Sequence, residues 1–324
     1  MTNPVLPPTS AQLEEARRVV ADHLQPTPTP TILINGRAVY AKLETLQVTG
    51  SFKIRGALAA VDASLRADPT GMVITSSAGN HGLGVAHAAM ILGARATVVV
   101  PANASVAKVA KLRQYDIELI QIGTSYDDAQ EHALALAAQR SIHYISPFND
   151  THVIAGQATA LDEMLNQVPD IEHLVVSVGG GGLISGTLLT ADLRGRNDLR
   201  ITGVQPANSA AMFHVLQGAT MAEVVHDFTI ADGLAGGGDD GAATNAIIAE
   251  HKTPIVLVPE EKIREGVRHA AESNGLILEG SASASYAAIE HELIDDNDSR
   301  VGFLATGRNI ATELLIEILR EGRH

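Results

Sequence analysis

Cysteine is absent from this chain. That excludes disulfides, thiolate metal sites and thiol nucleophiles. Tryptophan is absent as well, and aromatic residues make up only 3% of the sequence. The core must therefore come from Ala, Val, Leu and Ile, as in buried parallel sheets. Positive charge is in deficit: 23 Lys and Arg face 37 Asp and Glu, a net charge of −14. A nucleic-acid partner would want a basic face, so none is expected. No apolar run approaches the roughly 20 residues of a membrane helix, so no membrane partner is expected either. The start, Met1-Thr2-Asn3-Pro4, carries no basic stretch followed by an apolar one. A cytoplasmic location is the expectation. What remains is 324 residues, 45% of them hydrophobic, with mean hydropathy +0.11. Such a chain is globular and long enough for one large or two ordinary domains.

Hydrophobic period and turn chemistry order the elements. Ser10 can cap a helix from Ala11 to His23, with Glu14 and Glu15 in its first turn. The runs 32–34 and 38–43, joined by Asn35-Gly36, read as a hairpin. Ser51 can cap the next helix, to about Ala67. Strands are then expected at 73–75, 96–100, 117–120 and 142–145, with helices at about 81–92, 105–114 and 124–139. This block, 72–149, is an open α/β unit. A second block starts with a helix from Thr151 to about Asn166. Its strands are expected at 173–178, 200–205, 254–258 and 301–305, and a last helix at about 310–320 packs back on the sheet. The fold class is α/β with two open parallel sheets. The segment Gly233 to Gly241 reads as a mobile loop.

Three motifs carry chemistry. In Ser51-Phe52-Lys53-Ile54-Arg55-Gly56-Ala57, Lys53 opens a helix beside an aromatic residue. A lysine that forms an imine with a carbonyl cofactor needs a dry pocket, because desolvation favours the neutral amine. Phe52 could wall it, although a lysine in a first helical turn is ordinarily just solvated. The second motif, Gly179-Gly180-Gly181-Gly182-Leu183, follows an apolar strand and opens a helix. Four glycines let the backbone approach an anion, and N–H groups at a helix start can bind it. A plain tight turn would need fewer. The pattern is neither the dinucleotide fingerprint nor an ATP loop. The third, Ser77-Ala78-Gly79-Asn80-His81, sits at a strand-to-helix turn whose N–H groups can bind a carboxylate.

Together, in this order and spacing, the motifs resemble the pyridoxal-phosphate enzymes of fold type II, the tryptophan-synthase-β type. Within it they are most similar to the serine/threonine dehydratases and serine racemases. The resemblance runs from about Thr27 to Glu321. It implies a small domain, 72–149, inserted into a large one, 1–71 with 150–324, and pyridoxal 5′-phosphate in the cleft between them. Lys53 would hold the cofactor, beside Phe52, and the glycines 179–182 with Leu183 would hold its phosphate. Asn80 would face the ring hydroxyl, and Ser77, Ala78, Gly79, Asn80 and His81 would bind the substrate carboxylate. Thr306, in Leu304-Ala305-Thr306-Gly307-Arg308-Asn309, matches the residue facing the pyridine nitrogen. A hydroxyl there leaves the ring largely unprotonated, which favours elimination. Glu279 matches a family glutamate near the cofactor. Arg308 replaces the usual second glycine. It is either a solvated charge or a ligand for a further substrate carboxylate.

Two departures discriminate within the family. Serine racemases carry Ser where Ala78 stands, as the second acid–base. Several relatives bind a divalent cation through two carboxylates where this chain has Gln205 and Ala211, so no metal is expected. The resemblance therefore implies an ammonia-lyase that eliminates water from L-threonine or L-serine. The small-molecule partner is the amino acid, and the expected assembly is a homodimer or higher homo-oligomer. No regulatory module follows the last helix, which implies a form without feedback control. The alternatives are 3-hydroxyaspartate, phenylserine or a (hydroxy)diamino acid on the same scaffold, a serine racemase, or a two-lobed binding protein without chemistry. The last would be colourless, and an enzyme holding the cofactor on lysine would be yellow.

Overall fold

The computed structural model describes residues 4–68, 71–236, 238–295 and 300–321. Met1-Thr2-Asn3 and Gly237, both used above, lie outside the described residues. Helix α1 spans Ser10–His23. Its cap is Thr9 rather than Ser10. The Thr9 hydroxyl accepts from the Gln12 N–H at 3.3 Å, and the Gln12 side chain accepts in return from the Thr9 N–H at 2.9 Å. Glu14 and Glu15 then fall past the first turn and pair with Arg17 and Arg18.

Strands β1 (Thr31–Ile34) and β2 (Arg37–Lys42) form the expected hairpin. Asn35 and Gly36 take φ of 50° and 78°, the left-handed backbone that this two-residue turn requires. Helix α2 spans Lys53–Ala67, but Ser51 does not cap it. The cap position is Phe52, and Ser51 forms an isolated bridge with Gly307. A long-range pairing has overridden a local capping preference.

The next block contains β3 (Met72–Ser76), α3 (Asn80–Leu92), β4 (Arg95–Val100), α4 (Val106–Leu112), β5 (Glu118–Gln121), α5 (Tyr126–Arg140) and β6 (His143–Tyr144). Its strands are parallel, in the order β5-β4-β3-β6. The two-residue alternation of β4 explains the layers. Ala96, Val98 and Val100 pack towards α2, α3 and α4, and Val99 packs towards α5.

The last block contains α6 (Thr151–Gln167), β7 (His173–Ser177), α7 (Gly182–Leu193), β8 (Arg200–Pro206), α8 (Ala211–Leu216) and α9 (Ala243–Glu250). It continues through β9 (Ile255–Val258), α10 (Glu260–Asn274), α11 (Gly280–Glu290), β10 (Val301–Leu304) and α12 (Thr312–Arg320). The six-stranded sheet runs β1-β2-β10-β7-β8-β9, with only β1 antiparallel. One face is covered by α10, α11 and α12, and the other by α6, α7 and α9. Helices α1 and α2 share a core with the four-stranded unit, where Val20, Ile54 and Leu58 meet Val73 and Val85. Loops after β3, β7 and β10 converge on one cavity, at the carboxyl ends of parallel strands.

Candidate active site

The cavity has a volume of about 850 Å³ and lies between the two sheets' loops. Lys53 sits in it because the chain before α2 is stitched to the chain after β10. The Phe52 N–H donates to the Thr306 carbonyl at 3.0 Å, and the Arg308 N–H to the Gly50 carbonyl at 2.9 Å. The Lys53 ammonium donates to the Pro147 carbonyl at 2.8 Å and lies 5.2 Å from the Phe52 ring centre. Burial pushes its pKa down to about 8, and the nearby Glu279 carboxylate opposes that shift.

The glycine run lines the same cavity. The N–H groups of Gly179, Gly180, Gly181 and Gly182 find no acceptor among the described residues. Two of these glycines are also required on the protein side. A Cβ on Gly180 would lie 2.3 Å from Phe148 Cγ. Gly181 has φ of +85°, and its Cβ would meet Thr244 Cβ and Ile248 Cδ1 at 2.9 Å. A side chain at Gly181 therefore meets Thr244 and Ile248, so this glycine is required by packing as well as by any anion. Leu183 also lines the cavity, from the start of α7.

Ser77, Ala78, Gly79 and Asn80 line the same cavity. His81 turns inward. It is 2% exposed, and its Nε2 lies 3.1 Å from the Ile145 carbonyl. That carbonyl can only accept, so Nε2 carries the hydrogen. Burial, reinforced by the Lys53 charge, pushes the imidazole down to about 3 and keeps it neutral. Its ring has nothing to offer a carboxylate.

Glu279, 8% exposed, lines the cavity with Asn80. The Asn80 amide donates to Glu279 Oε1 at 2.7 Å, and the Asn309 N–H donates to Oε2 at 2.9 Å. Burial, with Asp232 nearby, pushes the Glu279 carboxyl up to about 7. Gly307 makes room for it, since a Cβ there would lie 2.5 Å from Oε1. Thr306 is buried and lines the cavity. Arg308 does not: it is exposed and donates to the Thr45 carbonyl, so the structure keeps it out of the site.

Sequence reasoning missed the residues that bridge the cavity mouth. Lys108 on α4 pairs with Asp232 at 2.7 Å, and Lys111 donates to Asn309 Oδ1 at 3.0 Å. Their spacing of three residues on a short helix was the available signal, but only the fold shows what they face. Asp232, Gly233, Leu234 and Asp239 of the glycine-rich loop line the cavity.

Gln205 turns its side chain to the start of α8, where its Oε1 accepts from the Phe213 N–H at 2.8 Å. No group of three or more His, Cys, Asp or Glu suited to a metal occurs among the described residues. Turnover and thermal stability are expected to survive exhaustive EDTA treatment at constant ionic strength. A large loss of either, restored by Mg²⁺ or Mn²⁺ alone, would contradict this.

This chain is 35% identical to an L-threonine ammonia-lyase of Thermotoga maritima over 290 residues, covering 89% of this chain and 71% of that protein. It is 31% identical to a serine racemase of Dictyostelium discoideum over 324 residues, covering 98% and 99%. A pyridoxal 5′-phosphate-dependent aspartate racemase has the same fold, with a TM-score of 0.87 at 30% identity over 97% and 99% of the two chains. The cavity fits that cofactor. It offers a buried amine for a carbonyl, unpaired N–H groups for a phosphate, and space for an amino acid beside it. The family model for pyridoxal-phosphate dependent enzymes matches residues 20–307. A match over that span, on a fold that brings a part-buried lysine and unpaired loop amides to one cavity, makes this chain a member of the pyridoxal-phosphate-dependent enzymes.

Proposed function

We propose that this enzyme is an ammonia-lyase for β-hydroxy amino acids, with L-threonine and L-serine as substrates and a 2-oxo acid and ammonia as products. The observation that carries this reading is Lys53, an amine brought down to about 8 in a cavity where the chain places Ala78, which has no ionisable group, in the 77–81 loop. Pyridoxal phosphate, when bound, supplies the electron sink that acidifies the substrate's Cα–H bond. Lys53 would hold it, with Phe52 as a wall and the N–H groups of Gly179 to Gly182, next to Leu183, around its phosphate. The N–H groups of the 77–81 loop hold the substrate carboxylate. Lys53 Nζ, about half freed of its proton near pH 8, takes the Cα proton. Thr306 puts an uncharged hydroxyl at the far end, and Asn80 and Glu279 bound the side. The Cα proton and the β-hydroxyl together leave as one water, and one water added later releases ammonia, so the net products are the oxo acid and ammonia.

The same reading divides the chain into a large domain, 1–71 with 150–324, and a small one, 72–149. It makes the enzyme a cytoplasmic homo-oligomer. A panel of β-hydroxy amino acids, assayed for oxo-acid release, tests the substrate. Release from 3-hydroxyaspartate, phenylserine or a hydroxydiamino acid, with none from threonine or serine, would overturn the assignment.

Racemisation is the reading to test against, and Ala78 decides it. An alanine has no proton to give on the second face of the substrate. The native enzyme is expected to form D-serine far more slowly than oxo acid, and Ala78→Ser to raise the racemised share. Equal D-serine formation by the two proteins would contradict the role given to Ala78.

A further inference from the structure

Asn80 is held at both ends of its amide. Nδ2 donates to Glu279 Oε1 at 2.7 Å, and Oδ1 accepts from Asn309 Nδ2 at 2.7 Å. Asn309 closes the ring with its backbone N–H on Glu279 Oε2 at 2.9 Å. Its Nδ2 also donates to the Thr49 carbonyl at 2.9 Å, and its Oδ1 accepts from the Lys111 ammonium at 3.0 Å.

The direction of every link is forced. The Thr49 carbonyl can only accept, so Asn309 turns its NH₂ towards it. The Lys111 ammonium can only donate, so Asn309 turns its oxygen there. That leaves the same NH₂ for Asn80, whose oxygen must face it. The Asn80 NH₂ is thereby pointed at Glu279, and one of its two hydrogens has no acceptor among the described residues. Asn80 lines the cavity, so that hydrogen is available to a ligand. The ring joins three segments remote in sequence, and Lys111 adds a fourth, from α4 of the four-stranded unit.

We infer that Asn309 is a positioning residue: with Glu279 it locks the Asn80 amide so that one N–H faces the cofactor ring, and Lys111 on α4 holds the Asn309 oxygen in the orientation this requires. This rests on the reading that places Asn80 beside the ring of pyridoxal phosphate. Asn309→Asp replaces the donating NH₂ with oxygen. It opposes the Asn80 and Thr49 oxygens and leaves the Lys111 contact available. Asn80 is then free to flip.

The test is the visible spectrum of the pyridoxal-phosphate-loaded protein, with kcat, KM and melting temperature measured beside it. Asn309→Asp is expected to change the ratio of the visible bands, because the hydrogen bond at a ring oxygen sets the bound chromophore's protonation. It should lower kcat by about ten- to a hundredfold, the scale of one hydrogen bond to a charged group. KM should change much less. Lys111→Met is expected to move the band ratio in the same direction by a smaller amount. Asn309→Ala gives the same readouts if the aspartate variant does not fold. A native band ratio in the Asn309 variants overturns the inference, even if their activity or melting temperature falls. If the native protein shows no visible band with pyridoxal phosphate, the underlying reading of the cavity fails first, and the inference with it.

Discussion

Replacing Lys53 with alanine is expected to lower turnover by at least ~10³-fold and to abolish covalent capture of pyridoxal phosphate. The fold should survive, because the Lys53 side chain gives the protein one hydrogen bond, to the Pro147 carbonyl. The other lysines near the motifs are occupied. Lys42 is sealed against Glu163 at 2.7 Å, and Lys108 and Lys111 are held by Asp232 and Asn309. Borohydride reduction followed by peptide mapping locates the modified residue. A label on Lys42, Lys108 or Lys111 would sink the assignment. The pH dependence has a definite sign. Only the unprotonated amine attacks a carbonyl, and burial brings Lys53 down to about 8. Cofactor capture by the cofactor-free protein should therefore accelerate as pH rises through about 8 and level off above it. An ordinary lysine would not level off until pH exceeded ~10.4.

The largest stability effect is expected two residues further along α2. Arg55 is fully buried, and all five of its N–H groups are used. It forks onto Glu44 at 2.7 and 2.8 Å, onto Glu163 twice at 2.7 Å, and reaches Thr159 Oγ1 at 3.0 Å. Lys42 closes the cluster on Glu163 and the Thr27 carbonyl. Arg55→Met removes one partner and strands a buried carboxylate, which destabilises by about 3–5 kcal/mol. That is a large part of the ~5–15 kcal/mol by which a domain is stable.

The sign with pH follows from Glu44. Burial alone would raise its carboxyl, and the Arg55 charge and hydrogen bonds reverse this and hold it low. In the native protein, that pairing contributes stability above the unfolded carboxylate pKa, and the contribution is lost as pH falls through the folded one. In the variant burial is opposed only by the Thr27 and Gln47 hydrogen bonds and the Lys42 charge, so the carboxyl rises and its protonation relieves part of the strain as pH falls. Urea unfolding should show a wide gap between native and Arg55→Met proteins at pH 8 and a narrower one at pH 5. A gap under about 1 kcal/mol, or one equal at both pH values, would refute the account.

The hairpin at Asn35-Gly36, the alternation of apolar strands with helices and the three motifs were legible in the sequence because each depends on neighbours along the chain. A left-handed turn needs residues that tolerate positive φ. A strand covered on both faces needs an unbroken apolar run. A loop that binds an anion through its backbone needs glycine. Those local requirements marked out Lys53, the glycine run and the 77–81 loop as motifs; their likeness to a known family implied one cleft, and all three line one cavity.

The rest was decided by contacts between distant segments. Ser51 looked like a helix cap and became a bridge to Gly307. Arg55 drew no separate reading in the sequence and became the centre of a buried ion cluster, because Glu44, Thr159 and Glu163 arrive from elsewhere in the fold. Arg308 had two open readings, and its partner, the Thr45 carbonyl, chose the one outside the cavity. The ring of Asn80, Glu279 and Asn309, with Lys111 attached, joins positions that no spacing rule relates. Sequence by itself determined which backbone conformations and which buried faces were possible here, since those follow from residues within a few positions of one another. Only the tertiary structure decided which charges meet and which amide faces which oxygen, because hydrogen bonds and ion pairs act over a few ångströms in space, whatever their separation along the chain.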